Sequence, residues 1–202
     1  CIFSVSNNMK NLFIRVVKLF SQRLFSILWR ICLPFEWIKL KFRYRNYHIS
    51  FFNQGKGEMF KFILRAPEKK IILLKKDNLL TEFWVYLNSY FHITMKPTHH
   101  NFQDKADVLE LILKTELKNL TLLISVDRKN KEYLQEYRED SIDLAATKNG
   151  HEKNKMQDIL DCFSSHGIMS YDHTASNFIV SNNTLIVIDL ESFQFIQDKH
   201  KL

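Results

Sequence analysis

Glycine and proline are scarce in this chain of 202 residues, which contains 4 and 3 of them respectively. So few chain breakers exclude collagen-like and low-complexity proteins, and no internal repeat of the kind that builds a solenoid is found. The three cysteines, Cys1, Cys32 and Cys162, are odd in number and lack metal-site spacing. They indicate free thiols in a reducing compartment and argue against a disulfide framework.

The composition that remains is that of a basic globular protein. Hydrophobic residues make up 46% and charged residues 25% of the chain, and the net charge is +7. The length suits one domain or two small lobes, and the positive charge favours anionic partners such as nucleotides and phospholipids. We expect no nucleic-acid partner, because the basic residues gather in an apolar segment and do not form a basic stripe with exposed aromatics.

That apolar segment is 9–33. Its polar positions recur at spacings of three and four, which predicts one polar stripe on an otherwise apolar helix. These positions are Arg15, Lys18, Gln22, Ser26 and Arg30. The charges argue against a membrane-spanning helix, which needs about 20 mostly apolar residues in a row. Two interpretations stay open: the apolar face packs on the domain, or the helix lies in a membrane interface. Pro34 is expected to end this helix, with 35–46 as a connector.

From residue 47 onward the pattern changes to the period of β-strands. Two short apolar runs, 47–53 and 58–64, flank Gln54-Gly55-Lys56-Gly57 and predict a β-hairpin with a flexible tip. The further predicted elements are a strand over 70–75, a helix over 79–91, strands over 108–113 and 120–126, a short helix and loop within 127–155, and a helix over 156–165. This order predicts an α+β fold with a β-rich front half.

Three oxygen-bearing side chains stand out in segment 165–191. Asp172 and Asn177 are five residues apart, and Asp189 follows after two short apolar strands joined by a polar turn. Mg²⁺ prefers hard oxygen ligands and keeps several water or phosphate oxygens, so these side chains suit a magnesium site if the hairpin brings them together. Each residue alone is more simply a cap or turn residue, whereas their joint spacing favours a phosphoryl-transfer site.

The same segment resembles the catalytic loop of the protein-kinase-like fold, and within that fold the lipopolysaccharide core heptose kinases of Gram-negative bacteria. The loop of that family runs H-G-x-x-S-G-D-x-H-x-x-N-F-I and precedes a strand ending in I-D-L. The matching residues are His166-Gly167, Ser170, Asp172, Asn177-Phe178-Ile179 and Ile188-Asp189-Leu190. The resemblance implies a β-rich N-lobe and a reduced or truncated helical C-lobe, preceded by the basic amphipathic helix.

The resemblance also implies roles for the residues of the catalytic segment. Asp172 would be the catalytic-loop base that accepts the proton of the substrate hydroxyl. Asn177 and Asp189 would hold Mg²⁺. The cofactors expected on this basis are therefore ATP and Mg²⁺.

Upstream residues would complete the nucleotide site. Lys75 would contact the α- and β-phosphates and pair with Glu82 in the following helix. Lys76 competes for this role, because side chains alternate along a strand and the register is open. Gly55 and Gly57, at the tip of the first hairpin, would cover the phosphates as the start of a glycine-rich loop.

The activity implied is an ATP- and Mg²⁺-dependent kinase that phosphorylates a heptose hydroxyl of the lipopolysaccharide inner core. Its expected partners are this glycolipid, or another hydroxyl acceptor, and a membrane surface contacted through 9–33, at the cytoplasmic face of the bacterial inner membrane. The expected regions are 1–46, 47–126 and 127–202. Only 13 residues follow Asp189, so three further readings stay open: a truncated chain, a reduced protein kinase of the effector type, and an inactive membrane-associated pseudokinase.

Overall fold

The structure is a computed structural model. It describes residues 24, 27, 28, 30–52, 59–68, 70–77, 82, 102–139, 142–144, 150–182 and 184–196. Its helices and strands are α1 (30–43), β1 (His48–Phe51), β2 (Phe60–Arg65), β3 (Ile71–Lys76), α2 (Phe102–Lys114), β4 (Leu123–Asp127), β5 (Glu132–Glu136), β6 (Ile142–Asp143), α3 (Gly150–Ser165), β7 (Ile168–Ser170), β8 (Phe178–Ser181), β9 (Thr184–Val187) and β10 (Phe193–Phe195). The architecture is mixed, with a β-rich front half and few helices.

Strands β1 to β5 form one antiparallel sheet in the order β1-β2-β3-β5-β4. The pairing of β1 with β2 confirms the first predicted hairpin, whose tip at 53–58 lies outside the described residues. Side chains alternate along β2, so that Phe60, Phe62 and Leu64 are all fully buried and pack in one cluster with Leu74 of β3. This alternation gives the sheet one strongly apolar face.

Helix α1 covers this apolar face and corrects one prediction. Pro34 was expected to end the helix, yet residues on both sides of it are helical, and the helix runs on to residue 43. Leu40 is buried in the cluster of Phe62 and Leu74, and the indole N–H of Trp37 donates to the carbonyl of Ile49 at 3.1 Å. A proline inside a helix removes one backbone hydrogen bond and costs about 3 kcal/mol. The contacts with the sheet outweigh that cost.

Two predictions in the middle of the chain are also wrong. Residues 108–113, expected as a strand, belong to helix α2, whose buried Phe102, Ala106, Leu109 and Ile112 recur at helical spacing. The strand β5 lies within 127–155, where a short helix and loop were expected. Polar residues of β5 are buried against residues distant in the sequence. The short segment therefore does not show the apolar alternation that marks a strand.

The rear half confirms the predicted helix over 156–165 and the last hairpin. Helix α3 contains the former, and β8 pairs with β9 from Phe178 opposite Val187 to Ser181 opposite Thr184. Strand β7 pairs with β10, so the segment between β7 and β8 is held at both ends. Helices α2 and α3 pack with these strands in one apolar core that includes Phe163 and Phe193. Within the described residues, no helix is long and apolar enough to cross a membrane.

Candidate active site

A cavity of about 270 Å³ is lined by residues of the five-stranded sheet and of the rear hairpin. Its lining residues are Phe52, Lys61, Leu73, Lys75, Leu122, Gln135, Glu136, Tyr137, Arg138, Ser176, Asn177, Ile179, Ile188 and Asp189. Three of the sequence-predicted site residues, Lys75, Asn177 and Asp189, therefore face one cleft. A concave site with a few convergent polar groups is the usual form of a small-molecule site.

Lys75 is the buried cation of this cleft, with 3% of its side chain exposed. Its Nζ lies 3.1 Å from Oδ1 of Asp189 and 3.0 Å from Oε1 of Glu191. Burial alone lowers the pKa of Lys75, but the charges of Glu191 and Asp189 raise that pKa well above its usual range. The ammonium group therefore stays charged at neutral pH.

The register of β3 distinguishes Lys75 from its neighbour Lys76. Lys76 donates to the carbonyl of Asn130 at 2.6 Å and to Glu132 at 3.3 Å, and it does not line the cavity. Glu132 also accepts hydrogen bonds from Arg43 of α1, at 2.8 Å. Lys76 thus joins the sheet to α1, and Lys75 alone of the pair faces the cleft.

The predicted ion pair between Lys75 and Glu82 is wrong. Glu82 accepts a hydrogen bond from Lys131 at 2.6 Å, while the second carboxylate beside Lys75 belongs to Glu191. Burial raises the pKa of Glu191, but Lys75, Lys61 and Lys105 together lower it to about 2. Glu191 is a site residue that sequence reasoning missed. The one signal for it was a second carboxylate two residues after Asp189.

The loop between β7 and β8 is organised around Asn177. Its side-chain nitrogen Nδ2 donates to the backbone carbonyl of Asp172 at 2.8 Å, and its backbone carbonyl accepts from the N–H of Ile188 at 2.9 Å. The first bond fixes the shape of the five-residue turn. The second joins that turn to the end of β9, directly before Asp189. The buried Asn177 thereby connects the backbone of Asp172 to that of Ile188, the residue before Asp189.

Two serine hydroxyl groups add a further connection between these segments. Ser170 accepts a hydrogen bond from the N–H of Asp172 at 3.2 Å and lies 3.0 Å from the hydroxyl of Ser192. Ser192 in turn donates to the carbonyl of Asp189 at 3.4 Å. Ser170 was noted for its match to the kinase loop, whereas Ser192 was missed. Together they hold the backbone of Asp172 near that of Asp189.

Asn177 and Asp189 each present an oxygen atom that could take a cation. Because the amide nitrogen of Asn177 must face the carbonyl of Asp172, its Oδ1 points the other way. Within the described part of the chain, neither this Oδ1 nor Oδ2 of Asp189 accepts a hydrogen bond from protein. An amide oxygen and a carboxylate oxygen fit the preference of Mg²⁺ for hard oxygen ligands. Gly55 and Gly57 lie outside the described residues.

Comparisons with known proteins establish the fold. No protein-family model and no curated protein matches the chain. Among solved structures, Rio2 kinase from Chaetomium thermophilum, in complex with ADP, Mg²⁺ and phosphoaspartate, matches with a TM-score of 0.51 at 11% identity. The fold is protein-kinase-like. The match covers 80% of this chain and 53% of Rio2 kinase, so the chain spans about half the length of that protein.

Two other solved structures are similar at lower scores. Choline kinase LicA from Streptococcus pneumoniae has a TM-score of 0.44 at 14% identity, over 77% of this chain and 67% of that one. Rv3197 from Mycobacterium tuberculosis, solved in complex with erythromycin, has a TM-score of 0.44 at 12% identity, over 77% of this chain and 48% of that one. None of these comparisons singles out the lipopolysaccharide core heptose kinases, so that finer resemblance stays a prediction.

Proposed function

We propose that the chain is an ATP- and Mg²⁺-dependent phosphotransferase that acts on a hydroxyl group. The observation that carries the proposal is the contact of Lys75 with Asp189 at 3.1 Å, beside a loop in which Asn177 holds the backbone of Asp172. This arrangement brings together a buried cation for phosphate and two hard oxygens for a metal ion, beside the loop that carries Asp172. The kinase-like fold supports it, since Rio2 kinase, which shares this fold, was solved with ADP and Mg²⁺.

Each residue would perform one part of the transfer. Lys75 would bind phosphate oxygens, and Glu191 would keep its ammonium group in place when Asp189 turns to the metal ion. Asn177 Oδ1 and the carboxylate of Asp189 would hold Mg²⁺, which neutralises the charge that develops on the transferred phosphoryl group. Asp172 would orient the acceptor hydroxyl and accept its proton. Positioning and charge neutralisation are what phosphoryl transfer chiefly requires.

The apolar end of the cleft suits a purine base. Phe52 and Tyr137 both line the cavity, and their rings meet edge to face with centroids 5.6 Å apart. Leu122 and Ile188 add aliphatic surface to the same lining. Aromatic faces and aliphatic walls favour stacking of a planar base. The adenine would therefore lie near these four side chains, with its phosphates directed toward Lys75.

For the acceptor, we propose a heptose hydroxyl of the lipopolysaccharide inner core. This choice rests on the resemblance of the loop from His166 to Ile179 to the heptose kinases. Such an acceptor is anchored in a membrane, and the enzyme would then work at the cytoplasmic face of the bacterial inner membrane. The net charge of +7 supports a substrate that carries negative charge.

The test is transfer of labelled γ-phosphate from Mg-ATP to lipopolysaccharide core stripped of its phosphate, with a general protein substrate in parallel. Asp172→Asn and Asp189→Asn should each abolish the transfer. Asp158→Asn, an exposed carboxylate on α3, is the matched control and should leave it unchanged. Labelled protein in place of labelled glycolipid would retain the kinase but reject the heptose acceptor. Equal transfer by wild type and both site variants would contradict the proposal.

A further inference from the structure

The outward face of α1 is apolar, which is unusual for a surface helix. Six large hydrophobic side chains, four on α1 and two on the helical residues 24 and 27 before it, recur at spacings of three or four residues, with exposed fractions that range from 44% for Leu24 to 79% for Phe42. They are Leu24, Ile27, Ile31, Phe35, Ile38 and Phe42. At 100° per residue they form one stripe, which we call the outer stripe. A contiguous exposed apolar patch of this kind marks an interaction surface.

The helix does not need the outer stripe for its own packing. Leu33, Trp37 and Leu40 lie on the opposite side of the helix and pack in the cluster that covers the sheet. The contact of the domain with α1 is therefore complete without the six outer side chains. An ordinary amphipathic helix would place polar residues at those positions, so the outer stripe requires a second apolar environment.

Positive charges border the outer stripe on both sides. In helical projection Arg30 and Lys41 lie along one edge, and Lys39 lies along the other. The single acidic residue between 24 and 46 is Glu36, which is buried and contacts Lys39 at 3.1 Å. The exposed side of α1 thus carries apolar residues along its centre and cations along its margins. This pattern is typical of helices that lie in the plane of an anionic membrane surface.

We infer that the outer stripe docks α1 on a bilayer that contains anionic phospholipid. The apolar side chains would enter the boundary between headgroups and acyl chains, and the bordering cations would reach the lipid phosphates. Charge complementarity favours this occupant over a second copy of the chain, because two such faces in contact would bring their cations together without any free carboxylate between them. The inference rests on α1 alone and stands whether or not the cleft transfers phosphate.

The apolar part of the inference is tested with the double variant Phe35→Gln and Phe42→Gln, which keeps the net charge. Wild type should sediment with phosphatidylcholine vesicles that contain a quarter phosphatidylglycerol, and much less with pure phosphatidylcholine. The double variant should bind at least about tenfold more weakly, because it loses two large apolar side chains from the inserted face. Ile142→Gln, an exposed isoleucine on β6, is the control and should bind like wild type. Equal binding of the double variant and wild type would overturn the inference.

The cations are tested with a triple variant, Arg30→Gln, Lys39→Gln and Lys41→Gln. Vesicle binding should weaken by about fivefold per removed charge. A second triple variant has the same net charge but removes exposed lysines elsewhere: Lys70→Gln, Lys118→Gln and Lys129→Gln. If both triple variants lose the same affinity, net charge alone drives binding, and the proposed surface is wrong.

Light scattering in solution distinguishes a second copy from a membrane. The inference predicts no dimer whose formation depends on the outer stripe. A dimer that the Phe35 and Phe42 double variant converts to monomer, with no wild-type binding to vesicles, would overturn the membrane assignment in favour of self-association. The double variant should keep the wild-type melting temperature, because Phe35 and Phe42 are mostly exposed and point away from the sheet.

Discussion

Replacing Glu191 by glutamine should destabilise the protein at neutral pH and much less in acid. Glu191 lies 3.0 Å from the ammonium group of Lys75 and 3.7 Å from that of Lys61, close to the metal-binding candidate Asp189. Glutamine keeps the size of the side chain and removes its charge. Lys75, which is buried, then keeps Asp189 as its remaining carboxylate partner.

The expected magnitude follows from the pKa of Glu191. Burial raises this pKa, but the nearby charges of Lys75, Lys61 and Lys105 lower it from 4.5 to about 2. A carboxylate whose pKa is depressed on folding stabilises the protein above pH 4.5, and that stability is lost as the pH falls toward 2. A depression of this size corresponds to about 3 kcal/mol at pH 7. For a chain of this length, the melting temperature should fall by about 6 to 12 °C.

The assay is urea unfolding of wild type and Glu191→Gln at pH 7 and at pH 3. The difference in unfolding free energy should be about 3 kcal/mol at pH 7 and about 1 kcal/mol at pH 3. Glu116→Gln is the matched control, because the Glu116 side chain is 73% exposed and lies 3.6 Å from Nε2 of His166. That change should alter stability by less than about 0.5 kcal/mol. A difference for Glu191→Gln that is absent at pH 7, or equal at both pH values, would refute the reasoning.

Three more predictions concern other buried groups. Lys75→Met should lower phosphoryl transfer by about 100-fold or more, because it removes a preorganised positive charge, whereas Lys76→Met should chiefly lower the melting temperature. Glu132→Gln should cost about 3 kcal/mol in urea unfolding, since Glu132 is 1% exposed and neutralises the buried Lys76. Ser170→Ala should lower kcat by about tenfold and leave the KM for ATP unchanged, because the hydroxyl positions the backbone of Asp172 and Ser170 does not line the cavity.

The local sequence pattern was sufficient to predict the elements whose apolar residues alternate or recur at a regular spacing. The two hairpins and the strand over 70–75 have short apolar runs bounded by polar turns, and the structure confirms all three. The helix over 156–165 was recognised from apolar residues at helical spacing. In each case the residues that decide the element lie within the element itself.

Contacts with residues distant in the sequence determine the elements that the local sequence pattern did not predict. The apolar run at 108–113 is too short to distinguish a strand from a buried helix, and it became part of α2. Strand β5 reads as polar because Glu132 and Gln135 are buried by distant residues, among them Arg43 on α1. The helix continued past Pro34 because Leu40 and Trp37 pack on the sheet. None of these contacts can be inferred from residues nearby in the sequence.

The sequence pointed to several residues that line the cleft. It did not predict that Glu191 would contact Lys75. The spacing of Asp172, Asn177 and Asp189 drew attention to one loop and hairpin, and the structure places Asn177, Asp189 and Lys75 in the lining of one cleft. The carboxylate partner of Lys75 could not be predicted, because the tight turn at 190–192 brings Glu191 back toward β3. Such a turn depends on the pairing of β10 with β7, which is a contact between distant segments.

Calorimetric titration with a non-hydrolysable ATP analogue tests the central claim most directly. Wild type should bind the analogue in the presence of Mg²⁺ and at least about tenfold more weakly in its absence, because Asp189 and Asn177 would hold a metal ion that neutralises the charge of the phosphates. Asp189→Asn should lose most of this dependence on Mg²⁺, and Asp158→Asn should keep it. Binding that ignores Mg²⁺ in wild type, or no binding at all, would contradict the assignment of this cleft to a phosphotransferase.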